Sequence, residues 1–335
     1  MNYFCTYCDQ GYAARLLCLH QSLNEQGEAF RLFVLCFDAE TEAVITKVGG
    51  ASLVALPLAE VLEADPEYAA TRTQRSKVEF YFTSTPVLVR HCLMREPTAL
   101  VMTYLDADLF FFGPASAVFA EQGDASVGIV PHRFTTRSRR SRRNGTYNVA
   151  WVSFRRDREG LACLEWWRER CIEWCFDRVE NGRFADQGYL DEFPSRFKGV
   201  RALEHPGINA APWNVEPARL TCVNGKPWLH GQPVIFYHYQ GIREVESGLF
   251  DPGLRNYHLP LTRSIRDLLY FPYLRRLTAT QAGLRSQGIV PSLGYQRVPT
   301  DGSLRARWER LRVHPLWTLY RRWRGKLVFC PEPRP

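Results

Sequence analysis

The chain has 335 residues, with 43 lysines and arginines against 35 acidic side chains, a net charge of +8. Apolar residues make up 45% and charged residues 23%, which excludes a disordered or low-complexity chain and suits one large or two modest domains. Residues 304–326 hold eight basic side chains and one acid, residues 132–143 hold six arginines and no acid, and the rest is mildly acidic, which argues against a nucleic-acid-binding body.

The first half alternates strand-like and helix-like segments. Residues 2–7 read as a strand and 12–26 as an amphipathic helix with Leu16, Leu19 and Leu23 on one stripe. Residues 31–37 read as a second strand, 40–48 as a helix and 51–56 as a third strand. Residues 74–95 are mostly helix-like, and 99–105 form a continuous apolar strand of the kind buried on both faces. Such alternation predicts a parallel sheet covered by helices. Beyond Gly113-Pro114, residues 125–130 and 147–155 read as strands on either side of the arginine-rich stretch 133–143. A long helix follows over 158–178, with Leu164, Trp167, Cys171 and Trp174 inward. Residues 200–240 are short strands and Pro/Gly turns ending in the apolar strand 233–239, and 263–276 and 304–324 are helix-like, basic and aromatic. With no long linker before 240, the chain divides into a domain over 1–245 and a C-terminal helical appendage over 246–335.

No stretch reaches the roughly 18 apolar residues of a membrane span, and the N-terminus has no signal-peptide pattern. The ten cysteines form no framework, and Cys5/Cys8 and Cys171/Cys175 lack the second pair or histidine of a zinc site, so buried free thiols in a cytoplasmic protein are expected.

The strongest chemical signal is Tyr104-Leu105-Asp106-Ala107-Asp108, a buried strand ending in two acids one residue apart. On extended chain, residues i and i+2 project to one side, so both carboxylates can address one hard cation, Mn2+ or Mg2+. In open α/β sheets ligands bind beyond the carboxyl ends of the strands. Four further pieces follow: Asn148-Val149-Ala150, Asp186-Gln187-Gly188 at a helix start, Ala211-Pro212-Trp213-Asn214, and His238-Tyr239-Gln240-Gly241 after another apolar strand.

This ordered set resembles the family-eight retaining glycosyltransferases of the GT-A type, the group of glycogenin and bacterial lipopolysaccharide glycosyltransferases, over about residues 1–245. The resemblance implies a Rossmann-like, mostly parallel sheet and a metal held by Asp106, Asp108 and His238. It implies that Arg243, just after His238 and Gly241, touches the diphosphate and neutralises charge on a UDP-like leaving group. Thr6, Tyr7, Asp9 and Tyr12 would bind the nucleotide. Asn148, Asp186 and Gln187 would hold the donor sugar and the reacting face, with Asp186 and Gln187 in the catalytic role. Two departures mark a divergent branch. Val149 replaces a small residue, and the segment before the metal strand lacks the family's arginine, leaving Arg75 or Lys77 in its place.

On the acceptor side, Trp213 and Asn214 are expected to stack on and hydrogen-bond a sugar. The arginine stretch 133–143 is expected to meet an anionic acceptor or close as a lid. In 304–324, Trp308, Leu311, Tyr320 and Trp323 interleave with seven arginines, the pattern of a helix lying on an anionic membrane surface. The whole predicts a transferase moving a nucleotide-bound sugar to a saccharide or lipid-linked acceptor in lipopolysaccharide or capsule synthesis, peripheral on the cytoplasmic face, with no nucleic-acid partner. Two alternatives are a sugar-nucleotide nucleotidyltransferase, for which residues 8–12 lack the Gly-rich loop, and a non-enzymatic binder of membrane or nucleic acid.

Overall fold

The computed structural model describes residues 1–138, 145–289 and 325–331. Arg139, Arg140, Arg142 and Arg143 of the arginine-rich stretch and the whole basic segment 304–324 lie outside the described residues.

The predicted alternation is present. β1 (Asn2–Cys8) leads to α1 (Ala13–Asn24), β2 (Phe30–Cys36) to α2 (Ala39–Val48), and β3 (Leu53–Pro57) to α3 (Leu58–Ala64) and α4 (Pro66–Thr71). Next come α5 (Lys77–Arg95), β4 (Val101–Leu105), β5 (Leu109–Phe111), α6 (Ser116–Gln122), β6 (Val127–Pro131) and β7 (Tyr147–Arg155). α7 (Arg158–Glu173), α8 (Phe193–Arg196) and β8 (Val200–Ala202) follow. The short strands β9 (Leu220–Val223), β10 (Lys226–Leu229), β11 (Gln232–Pro233), β12 (Phe236–His238), β13 (Arg243–Glu246) and β14 (Leu249–Asp251) come next, then α9 (Arg263–Ile265), α10 (Phe271–Ser286) and β15 (Val328–Phe329).

Local chemistry sets several boundaries. α5 begins where Ser76 and Glu79 form a reciprocal capping box, so it starts three residues later than the hydrophobic pattern alone suggests. α7 stops at Glu173, short of the predicted 178, because Trp174 turns to extended backbone. Arg183 lies over its indole at 4.5 Å. α10 runs ten residues past the predicted 276 and is preceded by a wider π-type turn over Arg266–Tyr270.

The central sheet has seven strands in the order β3-β2-β1-β4-β7-β6-β8. All its pairings are parallel except those of β7, which is antiparallel to both β4 and β6. This is the mixed, mostly parallel α/β architecture expected from the sequence. Period-2 alternation sends Phe4 and Cys8 of β1 into one hydrophobic layer with α1, and Cys5 into the other with Val87, Leu88 and Cys92 of α5 and Trp167 of α7. The four predicted inward residues of the long helix, Leu164, Trp167, Cys171 and Trp174, are all buried.

α10 packs along α1, and Tyr273 stacks on Tyr239 with ring centroids 3.8 Å apart. Leu269, Tyr270, Leu274 and Leu277 therefore share one core with Leu16 and Leu19. β15 pairs with β14, and Val328 and Cys330 are buried in the same layer. No helix among the described residues is long and apolar enough to cross a membrane.

Candidate active site

Parallel pairing of β1 with β4, in the register Cys5 to Tyr104, carries the ends of both strands to one edge of the sheet. Thr6, Tyr7 and Asp9 stand there beside Asp106. β5 then leaves the main sheet and pairs antiparallel with β12, setting His238 opposite Leu109. Backbone bonds fix the join: Tyr239 N–H donates to the Asp108 carbonyl at 3.0 Å and His238 N–H to Ala210 at 2.8 Å. Residues 130 positions apart thus meet through two three-residue strands.

The result is a cluster in which one ligand atom each of Asp106, Asp108 and His238 lies within 4.8 Å of the others. His238 Nε2 is 3.1 Å from Asp108 Oδ1 and 3.6 Å from Asp106 Oδ2. Asp108 and His238 are buried, while the Asp106 side chain keeps 26% of its surface open. Burial pushes the Asp106 carboxyl up to about 6; His238 opposes that shift and the Asp108 charge adds to it. Burial also favours neutral Asp108, but His238 outweighs it and holds this carboxyl below its ordinary value. His238 is raised against its own burial by the two acids. Two crowded carboxylates and an imidazole nitrogen facing them form a donor set that suits Mn2+ or Mg2+.

Behind the acids lies a second polar group. Asp186 is 4% exposed and accepts a hydrogen bond from Thr85 Oγ1 at 2.7 Å, while its carbonyl accepts from Trp167 Nε1 at 2.9 Å. Burial raises the Asp186 carboxyl to about 7, with Thr85 opposing and the Asp106 charge reinforcing. Asn148 on β7 donates to Gln187 Oε1 at 3.0 Å and accepts from Asn209 at 3.3 Å. The Asp106 N–H reaches the Ala150 carbonyl of β7, and Tyr104 donates its hydroxyl to Asp106 Oδ1 at 3.0 Å. Asp106, Asn148, Asp186 and Gln187 therefore belong to one neighbourhood.

The expected nucleotide residues line the same edge. Tyr12 is 39% exposed, with the Arg15 guanidinium 4.4 Å over its ring. Asp9 is engaged by Lys77 Nζ at 2.7 Å and by the Tyr81 hydroxyl at 3.1 Å. Of the two replacements considered for the missing family arginine, Lys77 thus reaches the site edge. Arg75 instead donates to the Ile172 carbonyl and stacks on Phe176. Tyr7 packs against Phe37, Tyr81 and Tyr104, and Thr6 is buried with its hydroxyl unpartnered. Gly241 takes φ +79° in the turn after His238, a conformation costly for a side chain. Arg243 on β13 pairs with Asp251 at 3.5 Å.

The structure corrects the expectation for Trp213. The indole is 1% exposed, edge-on to His132 and His238 with Tyr257 on another side, so no ring face is open to a sugar. Its placement makes it a wall of the His238 pocket. Asn214 is buried too, with its amide spent on the His132 and Asn209 carbonyls. From the arginine-rich stretch, Arg133 is a half-buried brace donating to the Leu203 and Ile208 carbonyls, and Ser138 donates to the Trp213 carbonyl at 2.5 Å. Sequence reasoning missed Arg15, Thr85, Tyr104 and Asn209. Only Tyr104 had a readable signal, since it shares the strand face of Asp106 two residues on.

The fold and site define a mixed α/β protein with an Asp-x-Asp and histidine cluster at the carboxyl edge of its central strands. Over 250 residues the chain is 34% identical to the uncharacterized protein YfnF of Bacillus subtilis (strain 168), covering 72% of this chain and 82% of that one, and it belongs to the same family. It is also 28% identical over 278 residues to the uncharacterized protein YfnD of that strain, covering 82% of this chain and 88% of that one. No family model matches. Similar solved structures include an active-site mutant of LgtC (15% identity, TM-score 0.49, 84% of this chain and 95% of that one). Others are galactosyltransferase LgtC with donor and acceptor sugar analogues (15%, 0.43, 71% and 87%) and the glycosyltransferase GlyE of Streptococcus pneumoniae TIGR4 (14%, 0.48, 88% and 67%).

Proposed function

We propose that this protein is a metal-dependent glycosyltransferase of the GT-A type, taking a sugar from a UDP-like nucleotide diphosphate and passing it to a saccharide or lipid-linked acceptor with retained configuration. The observation that carries this reading is the convergence of Asp106, Asp108 and His238 at the carboxyl edge of β4, in reach of Asp186 and Gln187. A bound Mn2+ or Mg2+ would be held by these three side chains and would neutralise diphosphate charge.

The chain's own groups supply the rest. Tyr12 offers an exposed ring to a base at the end of β1. Arg243 contributes a fixed positive charge on the diphosphate side, where a departing phosphate gathers negative charge. Asp186, dry and held by Thr85 and by the Trp167 bond to its carbonyl, faces the reacting carbon as a preorganised carboxylate that stabilises oxocarbenium-like charge. Gln187 is oriented by Asn148 and would address the donor sugar or the incoming hydroxyl. Trp213 and Tyr257 shut water away from His238.

We assign catalysis to residues 1–245 and a supporting, acceptor- or membrane-facing role to 246–335. Work on the cytoplasmic face of a membrane in cell-surface glycan synthesis is part of the same reading and rests on the arginine and tryptophan pattern of 304–324. The catalytic claim is tested by release of nucleoside diphosphate from a panel of nucleotide sugars with Mn2+. Asp106→Asn and Asp108→Asn should each abolish it, and wild-type turnover in both would overturn the assignment. Membrane attachment is tested by co-sedimentation with acidic vesicles after Arg305, Arg307, Arg310, Arg312, Arg321, Arg322 and Arg324 are changed to Gln. Undiminished binding would sink that part alone.

A further inference from the structure

Arg15 occupies a position where a charge is out of place. It sits one residue before Leu16 on α1, among Ala14, Leu16, Leu17 and Cys18, and is 8% exposed. Charged side chains are almost never this buried unless paired. Yet among the described residues no carboxylate lies within 4 Å of its guanidinium, which donates to the Ile242 carbonyl at 2.9 Å and lies 4.4 Å over the Tyr12 ring. Five N–H donors are available on an arginine, and one has a backbone acceptor here. Its charge also acts on Asp108, which His238 already engages.

Its surroundings point the same way. Ile242, which it grips, lies between Gly241 and Arg243 in the turn following His238. Arg15 and Arg243 border one crevice of about 10 Å³ together with Gly11, Ala14 and Ile242. Glu244 also lines it and keeps its charge, its oxygens accepting from the Gly248 N–H at 2.7 Å and from Gln281 Nε2 at 3.3 Å, but it forms no ion pair with Arg15 within 4 Å. The crevice has room for about one water, so a larger anion would meet the two cations at its mouth.

We propose that Arg15 is a diphosphate-binding residue of the donor site, a buried cation with no ion-pair partner within 4 Å among the described residues, stationed between the base-side Tyr12 and the turn that carries Arg243. The proposal rests on the glycosyltransferase reading and names a phosphate contact that sequence reasoning did not assign. It also accounts for Arg15 spanning 227 positions to hold the Ile242 carbonyl. A guanidinium fixed against a carbonyl and a ring loses little freedom when a phosphate oxygen arrives.

The test is calorimetry of the full chain with UDP, GDP, CDP, ADP and dTDP, with and without Mn2+, followed by the nucleoside matching the tightest binder. Arg15→Gln should weaken the diphosphate by about 10- to 100-fold, as for losing a charge-assisted hydrogen bond, and leave the nucleoside unchanged. Arg15→Lys, which keeps the charge but not the fork, should recover part of the loss. If Arg15→Gln does not fold, Arg15→Lys alone decides, through a diphosphate-specific loss. Unchanged diphosphate binding, or equal loss of diphosphate and nucleoside, would overturn the proposal and make Arg15 a packing residue. If the wild type binds none of the diphosphates, the glycosyltransferase reading falls and takes this inference with it.

Discussion

Replacing Asp186 by asparagine should make the protein more stable relative to wild type as pH rises. The carboxyl is 4% exposed, and burial, with help from Asp106, lifts it to about 7. In the unfolded chain an aspartate titrates near about 3.9. Between those values the folded protein keeps a proton that the unfolded chain has released, so stability falls with rising pH, by about 1.36 kcal/mol per unit. The slope slackens as pH nears 7, so the fall is about 2.3 kcal/mol from pH 5 to 7 and about 2.6 kcal/mol by pH 8, where it is nearly complete. The substituted amide has no titration of its own and can still accept the Thr85 hydroxyl through its oxygen. Urea unfolding of both proteins at pH 5 and pH 8 should show the variant gaining about 2.6 kcal/mol on wild type between the two. Identical pH slopes would refute the reasoning, because they would mean that the carboxyl is not held dry. Thr85→Val provides an internal check. Losing a hydrogen bond to a charged group costs the ionised form about 1.5–3 kcal/mol, so the fall should extend to higher pH.

Asp106→Asn and Asp108→Asn should each weaken Mn2+ binding, read by calorimetry, by at least about 100-fold, the upper end of what losing even an indirect supporter of a metal ligand costs. Asp65 and Arg168, both buried, are joined by two hydrogen bonds of 2.6 and 2.7 Å, and Arg168 also meets Glu67 and Glu165. Asp65→Ala should cost about 3 kcal/mol for the broken pair plus about 1 for the helix cap on Tyr68, and Asp65→Asn should spare the cap, both read by urea unfolding. Burial pushes Asp65 up but the Arg168 bonds hold it below its ordinary value, so its contribution is present above about pH 4 and fades as pH falls further. Of the ten cysteines only Cys222 is exposed, so a thiol reagent should modify one group quickly in the native protein and ten after unfolding.

The acids and the histidine were legible because each ends an apolar strand, and strand ends in such sheets face one edge. The helix-covered, mostly parallel sheet followed from alternation, and the inward face of α7 from period 3.6. What escaped was decided by contacts across the chain. Trp213 looked like a sugar platform because an aromatic beside a proline turn suits one, but β12 pairing with β5 draws 209–214 inward and covers its faces. Arg15 carried no signal in the sequence; its burial depends on α10 and the 239–242 turn packing against α1. Thr85 had no pattern at all, being one hydroxyl in a helix interior that happens to face Asp186. The missing family arginine sent attention to Arg75 and Lys77, and only the fold separates them, one bracing α7 and the other holding Asp9.

The pairing of β15 with β14 alters what the basic segment can do mechanically. Residues 290–324 follow α10 in the chain, which then returns to the small sheet that bears Arg243, with Val328 seated in the core. The described chain on both sides of that segment is thus fixed to the body, by α10 before it and by β15 after it. A single tether lets a body spin beneath whatever holds it, whereas two moorings restrict which side faces the anchoring surface. On the membrane reading proposed above, a surface holding residues 304–324 would set orientation as well as proximity, because β15 ties the chain beyond them to the sheet that carries Arg243.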